Sequence, residues 1–294
     1  MYIYAYNFYG GDMKKGLVLE GGGHRGIFTA GILDVFLEND ITFDGVVGVS
    51  AGAVHGASFL SKQKGRSLRY TKKYCGDKRY MGFGSLLKTG NFFNVDFCYY
   101  QLPNVLDPFD NETFEQQETA YYTVSTDVES GNAVYHQCKS LRDDDIKWIA
   151  ASASMPLVAK IVEIQGQKLL DGGVADSIPF QAFREMGYEK NVVILTQPKG
   201  YEKSANSMLP LIKVLYKKYP NFVKAVEERH VIYNQQLKDL EKLAESGEVY
   251  ILRPKTDLVA SRTEKNPEKI QETYDQGRIL ALEEIEKIKA FLCK

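Results

Sequence analysis

Short apolar runs that end in glycine-rich turns dominate the N-terminal part of the chain. Residues 16–20 form one such run, and residues 26–37 after its turn place apolar side chains on a single helical face. Residues 41–49 and the small-residue segment 51–60 repeat this order. Two strand–turn–helix units in succession favour parallel strands that lie side by side. The pattern therefore predicts an α/β fold with a mainly parallel central sheet.

The pattern changes further along the chain. Residues 121–127 and 133–138 alternate around a turn and predict a hairpin, while 168–170 and 192–195 predict two further short strands. Beyond residue 204 the sequence becomes charged, and its periodicity predicts a helix, a strand and a second helix at 220–246, 249–252 and 267–292. We see no internal repeat.

The domain organisation follows from this change. We expect a core at residues 13–200 and a C-terminal helical region at 201–294 that packs on it. Met13 begins a segment that resembles a natural start, so we interpret residues 1–12 as a non-native upstream extension with no part in the fold.

Two segments leave alternatives open. Residues 82–109 are rich in aromatic side chains without a clean period, and predict either a loop over an apolar cleft or, as favoured, irregular structure that covers the core. Residues 209–224 combine apolar side chains at helical spacing with lysines, which suits either contact with a membrane surface or, as favoured, packing on the core. The residues concerned are Leu209, Ile212, Lys213, Tyr216, Lys217, Lys218, Tyr219 and Lys224.

Composition excludes several classes of protein. The chain has 294 residues, and its 37 Lys and Arg nearly balance its 38 Asp and Glu, which leaves a formal charge of −1. No global field therefore attracts nucleic acid or an anionic membrane. A chain of this length buries enough apolar surface to fold without disulfides or metal.

Cysteine and histidine spacing predicts no metal site. Cys75, Cys98, Cys138 and Cys293 are widely spaced without a CxxC pair, and the four histidines have no ligand spacing, so we expect reduced thiols and no metal or other cofactor. The longest uncharged stretch, residues 45–61, is more polar and shorter than the roughly 20 apolar residues of a membrane span. The N-terminus lacks a basic segment and a long aliphatic run, so it is a poor signal peptide and we expect a cytoplasmic protein.

Three glycine-containing motifs follow predicted strands. The first is GGGHRG at residues 21–26, the second is GVSAG at residues 48–52, and the third is DGG at residues 171–173. Their candidate functional residues are Gly21, Gly22, Gly23, Arg25, Gly26, Gly48, Ser50, Ala51, Gly52, Asp171, Gly172 and Gly173.

The first motif fits two chemistries. In a dinucleotide fold, such a loop and the following helix N-terminus bind a pyrophosphate. In an acyl-transfer enzyme, adjacent glycine N–H groups and the arginine stabilise an oxyanion. The second motif favours acyl transfer, because a GxSxG strand-to-helix turn presents the Oγ of Ser50 at the carboxyl end of a strand. A dinucleotide fold also needs an acidic residue at the end of the second strand, where Ser50 stands.

A serine nucleophile needs a base. His136 and His230 lie downstream of the serine motif, but neither has a loop context that favours this role. Asp171 follows a short strand and precedes two glycines that allow close backbone approach, so it is the better candidate. A free aspartate has a pKa of about 3.9, and burial would have to raise that pKa for a Ser–Asp dyad to operate.

The three motifs, in this order, resemble those of the bacterial type of the patatin-like phospholipase family over about residues 14–200. The resemblance implies a three-layer α/β fold and a serine acyl hydrolase of the phospholipase A type. It implies Ser50 as nucleophile and Asp171 as base. It also implies an oxyanion hole made by Gly21, Gly22, Gly23 and Arg25, with the N–H of Ala51 as a further donor. Residues 150–156 (AASASMP) are similar to the family's small-residue stretch before the aspartate.

The predicted function is the hydrolysis of lipid esters of the phospholipase A or lysophospholipase type, without a cofactor. The alternatives are a catalytically silent relative that binds lipid and a nucleotide-binding oxidoreductase. Covalent labelling by a fluorophosphonate separates these alternatives, because only a serine hydrolase forms the adduct. The expected partners are a lipid or ester substrate and a transient membrane surface, and not nucleic acid. The motifs assign no role to the C-terminal third and reveal no acyl-chain pocket. The sequence therefore does not predict which lipid is the substrate.

Overall fold

A computed structural model describes residues 13–293, without the side chain of Asp143. The interpretation of residues 1–12 lies outside the described residues. The centre of the fold is an eight-stranded sheet. Its strands are β1 (Lys15–Leu19), β2 (Gly45–Val49), β3 (Ala120–Asp127), β4 (Ala133–Cys138), β5 (Val162–Ile164), β6 (Gln167–Asp171), β7 (Lys190–Ile194) and β8 (Val249–Leu252).

The sheet is mainly parallel, as predicted. Strands β3, β2, β1, β7 and β8 lie side by side in this order and are all parallel. β4 pairs with β3 in the predicted antiparallel hairpin, and β6 and β5 add two further antiparallel pairings beyond β3.

Helices cover both faces of the sheet. They are α1 (Ile27–Glu38), α2 (Ala51–Leu60), α3 (Arg66–Tyr74), α4 (Phe83–Thr89), α5 (Asn111–Gln116), α6 (Asp143–Ser152), α7 (Phe180–Glu185), α8 (Leu209–Leu215), α9 (Pro220–Glu245) and α10 (Pro267–Cys293), with a π-helical stretch at Phe97–Leu106. Successive residues of a strand point to opposite faces. Accordingly, Leu17 and Leu19 pack with α1, α2 and α10, whereas Val18 packs with α7 and α9. The predicted three-layer α/β fold is confirmed.

Strand β3 carries two strands on one of its edges. β2 pairs with residues 120–124 of β3 and β6 with residues 125–127, while β4 occupies the opposite edge along residues 121–126. β2 and β6 therefore meet end to end, with Val49 opposite Val124 and Asp171 opposite Ser125. This pairing brings the carboxyl ends of the two strands together.

The C-terminal part of the chain contributes to the same sheet and core. β8 extends the sheet beyond β7, and α10 packs closely on α1. A Cβ atom on Gly31 would overlap the carbonyl oxygen of Tyr274, and one on Gly277 would overlap that of Phe28. The division into residues 13–200 and 201–294 stays a prediction.

The stripe predicted in residues 209–224 faces the protein interior. Ile212 and Tyr216 are buried, and Leu209 and Tyr219 pack against the same cluster. Packing on the core is therefore confirmed for these apolar side chains, and contact of the segment with a membrane surface stays a prediction. None of the helices in residues 13–293 combines the length and the apolar character that crossing a bilayer requires.

Gly277→Ala should lower the free energy of unfolding by about 1–3 kcal/mol, because the added methyl group would force α10 away from α1. Urea denaturation measures the difference. Gly84→Ala in α4 is the matched control, since its Cβ would meet nothing within 4 Å. There we expect about 0.5–1 kcal/mol of stabilisation. Equal effects of the two substitutions would contradict the close helix contact.

Candidate active site

Ser50 forms the turn between β2 and α2. Its backbone has φ 55° and ψ −120°, a positive φ that favours glycine and costs a serine about 1–3 kcal/mol. The neighbouring glycines permit the turn, because a Cβ on Gly48 would overlap Ala53 and one on Gly52 would overlap the carbonyl of Leu19. The half-buried Ser50 thus stands at the carboxyl end of the parallel strands.

Asp171 ends β6 and is buried. Its Oδ1 accepts a hydrogen bond from the N–H of Gly173 at 2.8 Å. The side chain of Ser50 lies near enough to influence the pKa of this carboxylate. Burial raises the pKa of Asp171 above its ordinary value, while the charge of Arg229 and the side chain of Ser50 oppose this rise. Gly172 lies against the carbonyl of Val124, which fixes the chain just beyond Asp171 on β3.

The first glycine motif lies beside Ser50. A Cβ on Gly21 would be 3.6 Å from Ser50 Oγ, and one on Gly26 would be 2.8 Å from the Cβ of Ala51. Within residues 13–293, the backbone N–H groups of Gly21, Gly22, Gly23 and Ala51 make no hydrogen bond. The structure therefore places Gly21 and Ala51, whose backbone N–H groups are free, next to Ser50.

Arg25 contacts a different group. Its guanidinium donates to the side-chain oxygen of Gln197 at 2.7 and 3.2 Å when the amide presents its oxygen to Arg25. Burial and the charge of Arg262 lower the pKa of Arg25, and the carboxylate of Glu20 opposes this shift. Its role in an oxyanion hole stays a prediction.

Three residues that contact the site were not assigned from the sequence. Ser152 Oγ accepts a hydrogen bond from the N–H of Ser50 at 2.9 Å, and the carbonyl of Ser154 accepts one from the N–H of Asp171 at 2.8 Å. Both serines belong to the stretch at residues 150–156, which was noted only for its small side chains. Arg229 of α9 lies near Asp171, and nothing in the pattern of that charged helix distinguishes it.

A cavity of about 590 Å³ opens beside Ser50. Its lining is mainly aromatic and aliphatic and includes Val54, Tyr70, Phe93, Tyr99 and Leu102. Residues 82–109 supply much of this wall. The prediction of irregular structure was wrong for α4 and for the π-helical stretch. In the π-helical stretch, bonding to the fifth residue and an internal proline hide the usual helical period.

An ion-pair cluster fixes one end of this wall. The carboxylate of Asp107, which follows the π-helical stretch, accepts hydrogen bonds from Arg69 at 2.7 and 2.8 Å. Its backbone carbonyl accepts one from Arg66 at 2.9 Å. The wall is therefore attached to α3 through charged hydrogen bonds.

His136, Cys138 and Asp145 bring three ligand-type atoms within 4.8 Å of one another, which sequence spacing did not predict. Their mutual contacts account for the grouping. His136 Nε2 lies 2.7 Å from Asp145 Oδ1, and the imidazole stacks on Trp148. Burial raises the pKa of the Cys138 thiol, which disfavours the thiolate that binds metal. The group connects β4 to α6.

Comparison with known proteins identifies the family. A family model described as patatin-like phospholipase matches residues 17–184. The chain belongs to the patatin-like phospholipase family. The predicted membership is thus confirmed. Residues 219–293 of this patatin-like chain match a second model, described as a domain of unknown function (DUF6363).

Relatives of the patatin-like chain are mostly longer. Uncharacterized protein YjjU of Escherichia coli (strain K12) is 30% identical over 62% of this chain and 52% of its own length. Lysophospholipase nte1 of Emericella nidulans is 25% identical over 94% of this chain and 18% of its own length. Neuropathy target esterase sws of Drosophila melanogaster is 25% identical over 82% and 18%. The chain thus spans about half of the first relative and under a fifth of the other two.

Among solved structures, VipD from Legionella pneumophila is similar with a TM-score of 0.42 and 12% sequence identity. The likeness covers 92% of this chain and 67% of VipD.

Ser50→Gly should unfold with a free energy about 1 kcal/mol higher than Ser50→Ala, because both remove the hydroxyl and only glycine relieves the positive φ. Urea denaturation of the two variants measures the difference. The matched pair at Ser204, an exposed serine without a positive φ, should give the opposite order or no difference. A more stable alanine variant at position 50 would refute the strain.

Proposed function

We propose that the chain is a serine acyl hydrolase that cleaves ester bonds of lipids, of the phospholipase A or lysophospholipase type. The observation that carries the proposal is the placement of Ser50 next to the buried Asp171, where β2 and β6 meet on β3 beside an apolar cavity. Membership of the patatin-like family supports it, as does the name lysophospholipase of one relative.

In the first half-reaction, Ser50 Oγ attacks the ester carbonyl carbon while Asp171 accepts the hydroxyl proton. Burial favours this transfer because it raises the pKa of Asp171. The carbonyl oxygen becomes an oxyanion, and the free N–H groups of Gly21, Gly22, Gly23 and Ala51 stabilise it. Arg25 adds positive charge behind the loop.

The second half-reaction returns the enzyme to its starting state. The alcohol leaves with the proton held by Asp171, and an acyl ester on Ser50 remains. Asp171 then accepts a proton from water, which attacks the acyl ester and releases the fatty acid. The proton on Asp171 passes back to Ser50 Oγ.

The cavity is the proposed acyl-chain site. Its aromatic and aliphatic wall begins at Ser50 and Ala51, so a chain attached to the reacting carbonyl can enter it directly. Each methylene group removed from water contributes about 0.8 kcal/mol to binding. The sequence predicted no acyl-chain pocket, and only the less favoured alternative for residues 82–109 placed an apolar cleft beneath them. The lining comes from segments that are far apart along the chain.

Ser50→Ala should abolish ester hydrolysis and fluorophosphonate labelling, and Asp171→Asn should lower the rate by about 10²–10⁴-fold, since asparagine cannot accept the serine proton. Steady-state assays with a lysophospholipid and a labelling gel measure both effects. His230→Ala is the control and should retain activity. Labelling of Ser50→Ala equal to wild type would refute the nucleophile. Lipid binding without labelling of the wild type would identify a catalytically silent relative.

A lipid hydrolase must reach its substrate at an interface, and exposed apolar residues on two helices offer a contact. We call these six residues the apolar rim: Phe83, Leu87, Met208, Leu211, Val214 and Leu215. Residues 157–160 connect the helices, because the N–H of Leu157 donates to the Tyr216 hydroxyl and that of Phe92 donates to the carbonyl of Val158. The apolar rim therefore belongs to one region next to the stretch at residues 150–156.

Two of the four lysines that were expected to attract a membrane are engaged in ion pairs. Lys213 and Lys224 form ion pairs with Glu227 and Glu228 of α9, which offset their charge. Lys217 and Lys218 are exposed beside the rim. We propose that the apolar rim inserts transiently into the lipid surface while these two lysines contact anionic head groups.

A triple variant with Leu87, Val214 and Leu215 changed to Gln should partition at least about tenfold less into vesicles, a loss of about 1.4 kcal/mol. Co-sedimentation with phosphatidylcholine vesicles, with and without phosphatidylglycerol, measures it. Ile279→Gln with Leu282→Gln removes exposed apolar groups from α10 and should bind like wild type. Changing Lys213, Lys217, Lys218 and Lys224 to Gln should weaken only the salt-sensitive part of binding, which the vesicles with phosphatidylglycerol provide. Equal binding by wild type and the triple variant would refute the apolar rim.

A further inference from the structure

Four cationic side chains from separate segments come together next to the candidate active site. They are Arg25 of the first glycine motif, Lys203 of the loop after β7, Arg229 of α9 and Arg262 of the loop before α10. We call them the cation cluster. Three of the four belong to the part of the chain beyond the patatin-like match.

Contacts of the backbone and side chains fix their places. The carbonyl of Arg262 accepts a hydrogen bond from the N–H of His24 at 3.0 Å, which places Arg262 against the glycine motif. A Cβ on Gly173 would lie 3.0 Å from both Arg229 Nη2 and Asp171 Oδ1, so Arg229 flanks the aspartate. Lys203 Nζ lies 4.1 Å from the ring centre of Tyr233.

The cation cluster carries more charge than its surroundings balance. Glu20 acts on Arg25, Lys203 and Arg229, and Asp171 acts on Arg229, so the cationic groups outnumber the acidic groups that act on these three. Within residues 13–293, none of the four cations forms a salt bridge. Glu20 is already occupied, because its carboxylate accepts hydrogen bonds from Tyr233 and Thr196.

Two buried donors of the cation cluster have no partner. The Nε atoms of Arg25 and Arg229 are buried and make no hydrogen bond within the described part of the chain. Buried donors are almost always bonded, so each unpaired one requires an explanation. The positive neighbours have a further effect: after burial, the charges of Arg229, Arg262 and Arg25 help to lower the pKa of Lys203 to about 7. An anion bound among the four groups would accept hydrogen bonds from the two Nε atoms and would offset the positive charge around Lys203.

We propose that the cation cluster binds the phosphate group of the lipid substrate, and that it favours lysophospholipids with an anionic head group over choline lipids. A phosphomonoester carries a charge of about −1.5 to −2, which suits a site where cationic groups outnumber acidic ones. Guanidinium groups bind phosphate oxygens with paired N–H donors. A choline ammonium would instead be repelled. The inference rests on the proposed lipid hydrolysis and assigns a role to residues 201–293.

The position suits such a substrate. Arg229 and Ser50 both lie next to Asp171, so a phosphate on the cation cluster and an ester carbonyl at Ser50 are separated by little more than the aspartate. A glycerol backbone joins these two groups in a lysophospholipid, and the acyl chain then lies in the cavity. The two subsites would hold opposite ends of one molecule.

Binding to the Ser50→Ala protein tests the inference without turnover. Calorimetric titration compares lysophosphatidic acid, lysophosphatidylcholine and monoacylglycerol of one chain length, and inorganic phosphate. We expect lysophosphatidic acid to bind at least about tenfold more tightly than the other two lipids, since its doubly charged phosphate forms charge-assisted hydrogen bonds with the cation cluster. Lys203→Gln and Arg262→Gln in the same background should remove this preference. Lys238→Gln, an exposed lysine of α9, is the matched control and should keep it.

Conservative variants guard against misfolding. Lys203→Arg and Arg262→Lys keep the charge and should keep the preference, whereas loss in these variants and in Lys238→Gln alike would overturn the inference. Equal binding of the three lipids would also overturn it. Inorganic phosphate that binds through the cation cluster, without any preference among the lipids, would refute the head-group role and assign the site to free phosphate. These outcomes are measured as binding to the Ser50→Ala protein, so they do not depend on hydrolysis. The activity and labelling assays test the proposed function separately.

Discussion

The candidate site depends on one edge of one strand. β3 has eight residues, enough to pair with β2 along its first part and with β6 along its last, and this places Ser50 and Asp171 at a common point. A shift of β6 by two residues would keep its side chains on the same faces but would move Asp171 by about 7 Å. That displacement exceeds a hydrogen bond, so the register of β6 on β3 decides whether the two residues can act together.

The surroundings of this point hold both residues in place. The end of α6 and the stretch that follows it bind the backbones of Ser50 and Asp171 through Ser152 and Ser154, so the serine turn and the aspartate share one support. A strained serine persists only where neighbouring groups over-determine its conformation. The energetic cost of the positive φ is thus offset by contacts that also orient the base. Geometry and strain at this site have a single structural origin.

Local features of the site were predictable and its pairings were not. Strand, glycine turn and helix follow one another within a few residues, so the positions of Ser50 and the first glycine motif could be predicted from the sequence. The pairing of β6 with β3, the approach of Arg229 and the convergence of Lys203 with Arg262 involve residues far apart along the chain. Periodicity also failed where one helix offers two apolar faces: in α8, Ile212 is buried while Val214 is exposed.

The close contact of α1 with α10 has a consequence for modularity. The first family model ends at residue 184, before β7, but the apolar face of α1 is covered by α10 and the edge of β1 by β7. A fragment cut near that boundary would present a bare sheet edge and an uncovered helix face, both of which promote aggregation. Elements on both sides of the boundary between the two matched regions therefore share one sheet and one apolar core. Transplanting the motif-bearing part into another protein would require a substitute for the last helix.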